Sequence, residues 1–271
     1  MKGFSVIMPT YNQRAYIRRA ILSLIQQSYP EWELIIVDDG CTDGTKEQIT
    51  DYLDSYPNIT YLRIETNQGM GYAINQGLAV AKYNHIAYLP SDDFYYVDHL
   101  KDIKEKFEES KEAVLVYTGM KYDLNDTVAQ PGNYQTLGFR EGYSLQLVQT
   151  AHFKTEDKWL ERKEWVTENL ASMFWDKLEG KGDFVPTNKV SCDWTNHPYQ
   201  RHKLIFERHG GSVNHYRKYY KTKGPIKIRI SDFKFIDEVE LYKNARKKIE
   251  PKRDSLKILL VGELAFHPDR I

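Results

Sequence analysis

Two pairs of adjacent aspartates stand just after short apolar runs of the chain. The first pair is Asp38 and Asp39, and the second is Asp92 and Asp93. Carboxylate oxygens accept hydrogen bonds from hydroxyl and N–H groups, and hard divalent cations such as Mg²⁺ prefer them as ligands. Each pair also has a purely structural explanation, because Asp favours turns and the position before a helix. The elements around each pair must decide between these interpretations.

The first 120 residues alternate short apolar runs with segments of helical periodicity, which predicts an α/β fold. The predicted strands are residues 4–8, 34–37, 59–64, 86–89 and 114–117. Helices between successive strands imply right-handed crossovers, so we expect a mostly parallel central sheet flanked by helices. In such a sheet, ligands bind beyond the carboxyl ends of the strands.

Polar loops follow three of these strands, at residues 9–12, 38–44 and 90–93. Because the carboxyl ends of parallel strands lie at one edge of the sheet, we expect the three loops to converge there. This convergence favours a binding role for both aspartate pairs over a role in a turn or a helix cap. Asn12, in the first loop, is also expected to cap the helix that follows it.

The regular alternation fades after residue 120, where the chain becomes rich in Gly, Asn, Asp and Thr. Further helices are predicted at residues 165–178 and 199–209. The predicted parts of the chain are one domain at 1–235 with halves 1–120 and 121–235, a charged linker at 236–254, and the start of a truncated second α/β domain at 255–271. The last part can also be a C-terminal strand that joins the main sheet.

The composition excludes several classes of protein. The chain has 38 basic and 38 acidic residues, and this balance gives no sign of a nucleic-acid partner. Its two cysteines, Cys41 and Cys192, have no metal-ligand spacing and suggest no disulfide framework, as in a reducing cytoplasm. No stretch is long and apolar enough for a signal peptide or a membrane span. We therefore predict a soluble, cytoplasmic protein, which leaves room for peripheral contact with the inner face of the membrane.

Four motifs resemble glycosyltransferase family 2 in their residues, order and spacing. They are VIMPTYN at 6–12, VDDGCTDGT at 37–45, NQG at 67–69 and YLPSDD at 88–93. The resemblance implies a GT-A fold and an enzyme of the hexosyltransferase type, which moves a sugar from a nucleotide-sugar, often a UDP-sugar, to a hydroxyl with inversion. It also implies Mg²⁺ or Mn²⁺ as the metal. A saccharide or lipid-linked acceptor, as in polysaccharide biosynthesis, would be in keeping with it.

Matching the motifs residue by residue implies a nucleotide-sugar site beside a metal site. Asp93 would be the main metal ligand, and Asp92 would touch the metal or the ribose. The residues expected at the nucleotide-sugar are Pro9, Tyr11, Asp38, Asp39, Asn67, Gly69 and Asp92. Pro90 departs from the family pattern, because many members have an Asp there. One potential metal ligand is therefore missing.

The acceptor hydroxyl must lose its proton to a titratable group within reach. The family supplies a carboxylate at the start of a helix beyond the metal loop, and residues 167–170 (TENL) resemble that element. Glu168 is therefore the expected base, and its ordinary explanation is a first-turn acid that favours the helix dipole. Asn169 stands at the position of a second acid, and an amide cannot accept the proton. Asp193 is the alternative base.

Two other functions remain open. A non-catalytic module that binds a nucleotide-sugar or a partner domain is consistent with Pro90 and Asn169. A nucleotidyltransferase is a weaker alternative, because it would carry a Gly-rich basic loop where residues 9–12 stand. His197 or His215 could add a metal or phosphate contact, although an ordinary hydrogen bond explains a single histidine equally well. The basic residues of 214–229 could face an anionic lipid-linked acceptor or form a solvated surface.

Overall fold

The structure is a computed structural model of the 271-residue chain. It describes residues 2–124, 135–136, 145–161, 170–197, 227–231 and 234–237. The chain divides into two units, Met1–Glu161 with Asn169–Asn196, and Arg162–Glu168 with His197–Ile271. The domain boundaries predicted from the sequence stay a prediction.

The first unit consists of a large sheet with helices packed on it. Its strands are β1 (Phe4–Thr10), β2 (Trp32–Asp39), β3 (Ile59–Ile64), β4 (His85–Tyr88), β5 (Phe94–Tyr95), β6 (Ala113–Leu124), β7 (Gln135–Thr136), β8 (Thr150–Phe153) and β9 (Asp183–Asn196). Its helices are α1 (Ile17–Ile25), α2 (Thr50–Ser55), α3 (Met70–Val80), α4 (His99–Glu109) and α5 (Leu170–Glu179), with short 3₁₀ turns at Glu47–Ile49 and Leu147–Gln149. Apart from the two-residue β5, the elements up to α4 alternate as predicted.

The strands follow the order β3-β2-β1-β4-β8-β6-β9-β5, and β7 pairs with β6. From β3 to β4 all neighbouring strands are parallel. Strand β8 then runs antiparallel between β4 and β6, while β6 and β9 are again parallel. The predicted α/β architecture with a mostly parallel sheet is confirmed. The fifth predicted strand lies within β6, but β8 separates it from β4.

Burial patterns explain why these segments form these elements. Strand β2 is buried along its whole length, as expected of a strand covered on both faces. The residues buried on α1 repeat at helical spacing, and they are Ile17, Ala20, Ile21, Ser23 and Leu24. Gly77 lets α3 approach the sheet, because a Cβ there would lie only 2.7 Å from Ile7 Cγ2. The helices thus hold the strands whose ends carry the candidate site.

Two helices begin differently from expectation. Asn12 does not cap α1, because the residue before that helix is Tyr16 and no side chain caps it. Asn12 instead has a φ of 53°, and its Oδ1 accepts a hydrogen bond from the Thr42 backbone N–H at 2.8 Å. The helix that follows the second aspartate pair begins only at His99. A helix cap therefore does not explain Asp93.

The second unit is described only in part. The structure gives His197 and an antiparallel pair of strands, β10 (Lys227–Ser231) and β11 (Lys234–Asp237). The first residues of the predicted linker, 236–237, thus lie in a strand. The predicted helix at 199–209, the rest of the linker and residues 255–271 fall outside the described residues. Among the helices that the structure describes, none is both long and apolar enough to cross a membrane.

Candidate functional site

The loops after β1 and β2 are joined to each other by hydrogen bonds. The Asn12 backbone N–H donates to Cys41 Sγ at 3.1 Å, and the Thr42 backbone N–H donates to Asn12 Oδ1. Burial raises the pKa of the Cys41 thiol to about 12, so this side chain is a neutral packing group. In these loops, Pro9 is buried at the end of β1 and Tyr11 is half-buried. Neighbouring parallel strands bring the two loops to one edge of the sheet, as predicted.

Asp38 is fully buried, and both of its carboxylate oxygens bind groups of the protein. Its Oδ1 accepts a hydrogen bond from the Cys41 backbone N–H at 2.7 Å. Its Oδ2 accepts from the Tyr61 hydroxyl and from Arg63 Nη1, which is 2.9 Å away. Burial, followed by the hydrogen bond to Asp38, raises the pKa of Tyr61. These contacts tie the loop after β2 to β3, and a direct contact of Asp38 with a nucleotide stays a prediction.

Asp39 is held by the NQG motif at the start of α3. Its Oδ1 accepts from the Gln68 backbone N–H at 2.6 Å, and its Oδ2 accepts from the Gly69 N–H at 2.7 Å. Gly69 has a φ of 95°, a backbone conformation that favours glycine. Gly40 also approaches this motif closely, since a Cβ there would lie 2.8 Å from the Asn67 backbone nitrogen. The structure therefore brings together Asp39, Asn67 and Gly69, three of the residues predicted to contact the nucleotide-sugar.

Asn67 carries the feature most indicative of a ligand. Its side-chain Oδ1 and Nδ2 are both buried, and neither has a hydrogen-bond partner within the described residues. The Thr10 hydroxyl, at the carboxyl end of β1, is likewise buried without a partner there. A buried amide without a partner costs about 1–3 kcal/mol, so such groups usually find one in a ligand or a water molecule. Both side chains are therefore candidates for hydrogen bonds to a bound molecule.

Asp93 lies in the loop after β4 and is 2% exposed. Its Oδ1 accepts a hydrogen bond from the Thr195 backbone N–H of β9 at 3.0 Å. Burial, and then the negative charge of Asp92, raises the pKa of Asp93 well above its ordinary value. The charge of Asp193 acts in the same direction. A cation at this position would reverse that effect, because it would relieve the repulsion between the carboxylates.

These carboxylates suit a hard divalent cation that shares its coordination with a substrate. Within the described ranges, no group of three or more His, Cys, Asp or Glu side chains is arranged to hold a metal ion alone. Mg²⁺ is commonly bound by one or two carboxylates together with substrate phosphates and water. Asp93 with Asp92 fits that pattern. The oxygen ligands are those that Mg²⁺ and Mn²⁺ prefer.

Arg19 of α1 contacts the same loop and was not predicted from the sequence. Its Nη2 donates to the Asp92 carbonyl oxygen at 2.8 Å and to Thr195 Oγ1 at 2.6 Å. Its guanidinium lies 4.7 Å from the centroid of the Phe94 ring. The partners are 73 and 176 residues away along the chain, so no local pattern could have indicated them.

The two predicted bases differ in what the structure shows of them. Asp193 is 1% exposed and lies in β9, paired with Phe94 of β5, next to the metal loop. Glu168 lies outside the described residues, as do Asn169 and His215. His197 is buried in the second unit. Asp193 is therefore the predicted base that the described residues show beside the predicted metal ligands.

Similar proteins of known structure share this fold. The 1–349 chain of S. aureus TarS in complex with UDP-GlcNAc has a TM-score of 0.63 and is 24% identical, covering 75% of this chain and 61% of that TarS chain. TarS in complex with UDP is 26% identical with a TM-score of 0.59, covering 72% and 61%. The mannosyltransferase PcManGT of Pyrobaculum calidifontis, in complex with GDP-Man and Mn²⁺, has a TM-score of 0.58 at 19% identity, covering 82% and 65%. The predicted GT-A fold is confirmed.

Sequence relatives agree with the structural ones. TuaG of Bacillus subtilis (strain 168), provisionally named a teichuronic acid biosynthesis glycosyltransferase, is 39% identical over 124 residues, which are 45% of this chain and 48% of TuaG. The chain spans about half or less of the length of such curated relatives. The family model "Glycosyl transferase family 2" matches residues 5–170, which is more than half of the chain. The chain therefore belongs to glycosyl transferase family 2.

Proposed function

We propose that the chain transfers a sugar from a nucleotide-sugar, with inversion and with a divalent metal, to a hydroxyl acceptor. The observation that carries the proposal is the meeting of two kinds of polar group at one sheet edge. Asp39 ends β2 and binds the loop after β3, where the Asn67 amide has no hydrogen-bond partner among the described residues. Asp93, with its raised pKa, lies after β4. The first group suits a nucleoside and the second suits a cation bound to phosphates.

A uridine nucleotide is the proposed donor. Uracil presents an N–H donor between two carbonyl acceptors, and Asp39 and Asn67 offer acceptor and donor groups for that pattern. Pro9 and Tyr11 would line the pocket, with Asp38 and Gly69 beside them. TarS, which is 26% identical to this chain in its structure with UDP, supports a uridine nucleotide as the donor. A nucleobase other than uracil would require the Asn67 amide and the Asp39 carboxylate to form a different set of hydrogen bonds.

Asp93 and Asp92 are proposed to hold Mg²⁺ or Mn²⁺ against the diphosphate of the donor. When bound, the ion would neutralise the charge that develops on the departing diphosphate. The protein's own contribution is to fix the Asp93 carboxylate, which the Thr195 N–H does at 3.0 Å. Burial of Asp93 excludes water from that side and strengthens its attraction to a cation.

The proposed reaction is a direct displacement at the anomeric carbon. The acceptor hydroxyl oxygen forms a bond to that carbon on the face opposite the phosphate. The bond between the carbon and the phosphate oxygen breaks, and the nucleoside diphosphate leaves with the electron pair. The hydroxyl proton passes to a carboxylate, for which Glu168 is proposed and Asp193 is the alternative. Attack from the opposite face inverts the anomeric configuration.

The acceptor is proposed to be a saccharide or a lipid-linked molecule in polysaccharide assembly. The provisional name of TuaG, which refers to teichuronic acid biosynthesis, supports that class. We further propose that the GT-A domain comprises residues 1–235 and that a charged linker follows it. Action in the cytoplasm, at the inner face of the membrane, would fit a lipid-linked acceptor.

Calorimetric titration of nucleotides tests the proposal. UDP, GDP, CDP and dTDP are titrated with and without Mn²⁺ into wild type, Asp93→Asn and Asp51→Asn. We expect UDP to bind only with Mn²⁺, and Asp93→Asn to weaken that binding at least about 10-fold, because a metal ligand is lost. Asp51→Asn is the matched control, since Asp51 pairs with Arg18 on the exposed surface.

Two results would contradict the proposal at different levels. Absence of binding by any of the four nucleotides, with or without Mn²⁺, would remove the basis for a nucleotide-sugar donor. Tight binding without release of UDP from any UDP-sugar, even with saccharide or lipid-linked acceptors present, would leave a non-catalytic binding module. Release of UDP that depends on an acceptor would support transfer.

A further inference from the structure

Arg19 connects helix α1, the loop that carries Asp92 and Asp93, and strand β9. It projects from α1, its Nη2 donates to the Asp92 carbonyl oxygen, and the same Nη2 donates to Thr195 Oγ1 of β9. Thr195 in turn donates its backbone N–H to Asp93 Oδ1. The Arg19 guanidinium therefore binds the backbone of Asp92, which precedes Asp93, and also Thr195, which binds the Asp93 carboxylate.

The geometry restricts where this guanidinium can lie. Its carbon is 4.7 Å from the Phe94 ring centroid, and Phe94 directly follows Asp93 in the chain. Hydrogen bonds from a charged donor are about twice as strong as neutral ones, and the aromatic face adds an attraction of its own. A planar guanidinium can donate within its plane while its face stacks on a ring, which an ammonium cannot do. The side chain is thus suited to fix the loop.

The position of the positive charge argues against a purely electrostatic role. Arg19 lowers the pKa of Asp93 only as a minor contribution beside burial and Asp92. Its charge would also repel a divalent cation bound at Asp93. If charge were its only effect, removing it would strengthen metal binding. If Arg19 instead bound the donor's phosphates, removing it would weaken nucleotide binding but not binding of the metal alone.

We propose that Arg19 is a positioning residue, which holds the Asp92–Asp93 loop against β9 so that the Asp93 carboxylate is set for a divalent cation. The proposal rests on the proposed function in one respect, namely that Asp93 binds such a cation. It predicts that loss of Arg19 weakens metal binding although a repelling charge is removed. That sign separates positioning from electrostatics.

Four variants of the full chain test the proposal: Arg19→Gln, Arg19→Lys, Thr195→Val and, as a control, Arg18→Gln. Arg18 is the preceding residue of α1, and its guanidinium pairs with Asp51 at 2.7 Å on the exposed surface. The first measurement is the affinity for Mn²⁺ without nucleotide, from the electron paramagnetic resonance signal of free Mn²⁺. The second is hydrogen exchange of the Thr195 amide without metal.

We expect Arg19→Gln to bind Mn²⁺ about 10- to 100-fold more weakly, which is the usual effect of losing a group that orients a metal ligand. The Thr195 amide should exchange at least about 10-fold faster, because the contacts that hold it are lost. Arg19→Lys should recover part of both effects, and Thr195→Val should show a smaller loss. Arg18→Gln should stay within about twofold of wild type.

Two outcomes of these measurements would overturn the proposal, and a third would come from nucleotide titration. The first is Mn²⁺ binding by Arg19→Gln that equals or exceeds that of wild type. The second is Thr195 exchange in Arg19→Gln that matches the Arg18→Gln control. A wild type that binds Mn²⁺ but no nucleotide would contradict the proposed function, while the role of Arg19 would still be decided by these two measurements. Metal-dependent UDP binding that is the same in wild type and Arg19→Gln would contradict the role of Arg19 alone.

Discussion

Single carboxylates of the site are held largely by backbone N–H groups. Asp39 binds the amides of Gln68 and Gly69, and Asp93 binds the amide of Thr195. A backbone donor positions a carboxylate firmly: the Thr195 donor belongs to β9, and the Gln68 and Gly69 donors lie directly before α3. This arrangement prepares the oxygens before a ligand arrives, and little reorganisation is needed on binding.

Two substitutions, Glu168→Gln and Asp193→Asn, test which carboxylate is the general base that takes the acceptor's proton. We expect Glu168→Gln to lower kcat about 100- to 10,000-fold, as loss of a general base does, with donor binding unchanged. Asp193→Asn should mainly weaken Mn²⁺ binding, because Asp193 is buried beside Asp93 and its charge acts on that residue. Initial rates with saturating donor, together with Mn²⁺ titrations, separate the two effects. The reverse pattern would assign the base to Asp193.

Helix α3 links the NQG loop at 67–69 to a distant segment of the chain. It begins directly after Gly69, whose N–H binds Asp39. One turn further, Asn75 exchanges two hydrogen bonds with the backbone of Trp159: its Oδ1 accepts from the N–H at 2.8 Å, and its Nδ2 donates to the carbonyl at 2.9 Å. Gly71 faces the next residue of that segment, since a Cβ there would lie 2.0 Å from the Leu160 carbonyl oxygen.

Gly71→Ala tests how closely these elements must approach. Alanine favours a helix by about 1 kcal/mol over glycine, but its methyl group would force the backbone at Leu160 to move. We expect a net loss of about 2 kcal/mol in the free energy of unfolding, measured by urea denaturation. Gly180→Ala is the control, because no atom of the described residues beyond its chain neighbours lies within 4 Å of its Cβ position. Its effect should stay within about 0.5 kcal/mol. Equal effects of both substitutions would contradict the close approach.

Local periodicity made most of the first four strands and their helices predictable. Strand β3 and helix α1, for example, occupy segments whose apolar spacing is set by their own residues. Strand β8 was not predicted, because its four residues are too few to give a clear local pattern, and pairing with strands more than 30 residues away defines it. The roles of Asn12 and Arg19 were missed for a similar reason. Their partners lie in other loops, and tertiary hydrogen bonds prevailed over the local capping preference.

At the scale of the whole molecule, a buried chain of polar groups crosses the aromatic part of the core. Trp159 Nε1 donates to the Tyr88 hydroxyl at 3.2 Å, and this hydroxyl lies 2.7 Å from His152 Nε2. His152 Nδ1 lies 2.6 Å from the Phe153 carbonyl oxygen, which can only accept, so Nδ1 carries the proton. The neutral imidazole therefore satisfies both neighbours. A second proton, on Nε2, would remove the acceptor that the Tyr88 hydroxyl uses.

This arrangement predicts that acid destabilises the fold. Burial lowers the pKa of His152 to about 4 and that of His99 to about 3, from an ordinary value of 6.5. Between pH 6.5 and about 4 the unfolded chain therefore binds more protons than the folded chain. The free energy of unfolding should then fall as the pH is lowered, by about 1.4 kcal/mol per pH unit for each histidine. Asp93, whose pKa is raised, opposes this trend.

Urea denaturation at pH 7, 6 and 5 measures the effect, and His152→Gln isolates one contribution. The variant should show a pH dependence that is shallower, by an amount that is small near pH 7 and approaches about 1.4 kcal/mol per pH unit near pH 5, because only the titrating group has been removed. A wild type whose unfolding free energy is flat from pH 7 to pH 5 would contradict the prediction, because the folded and unfolded chains would then bind equal numbers of protons over that range. An unchanged slope in His152→Gln would place the acid sensitivity elsewhere in the molecule.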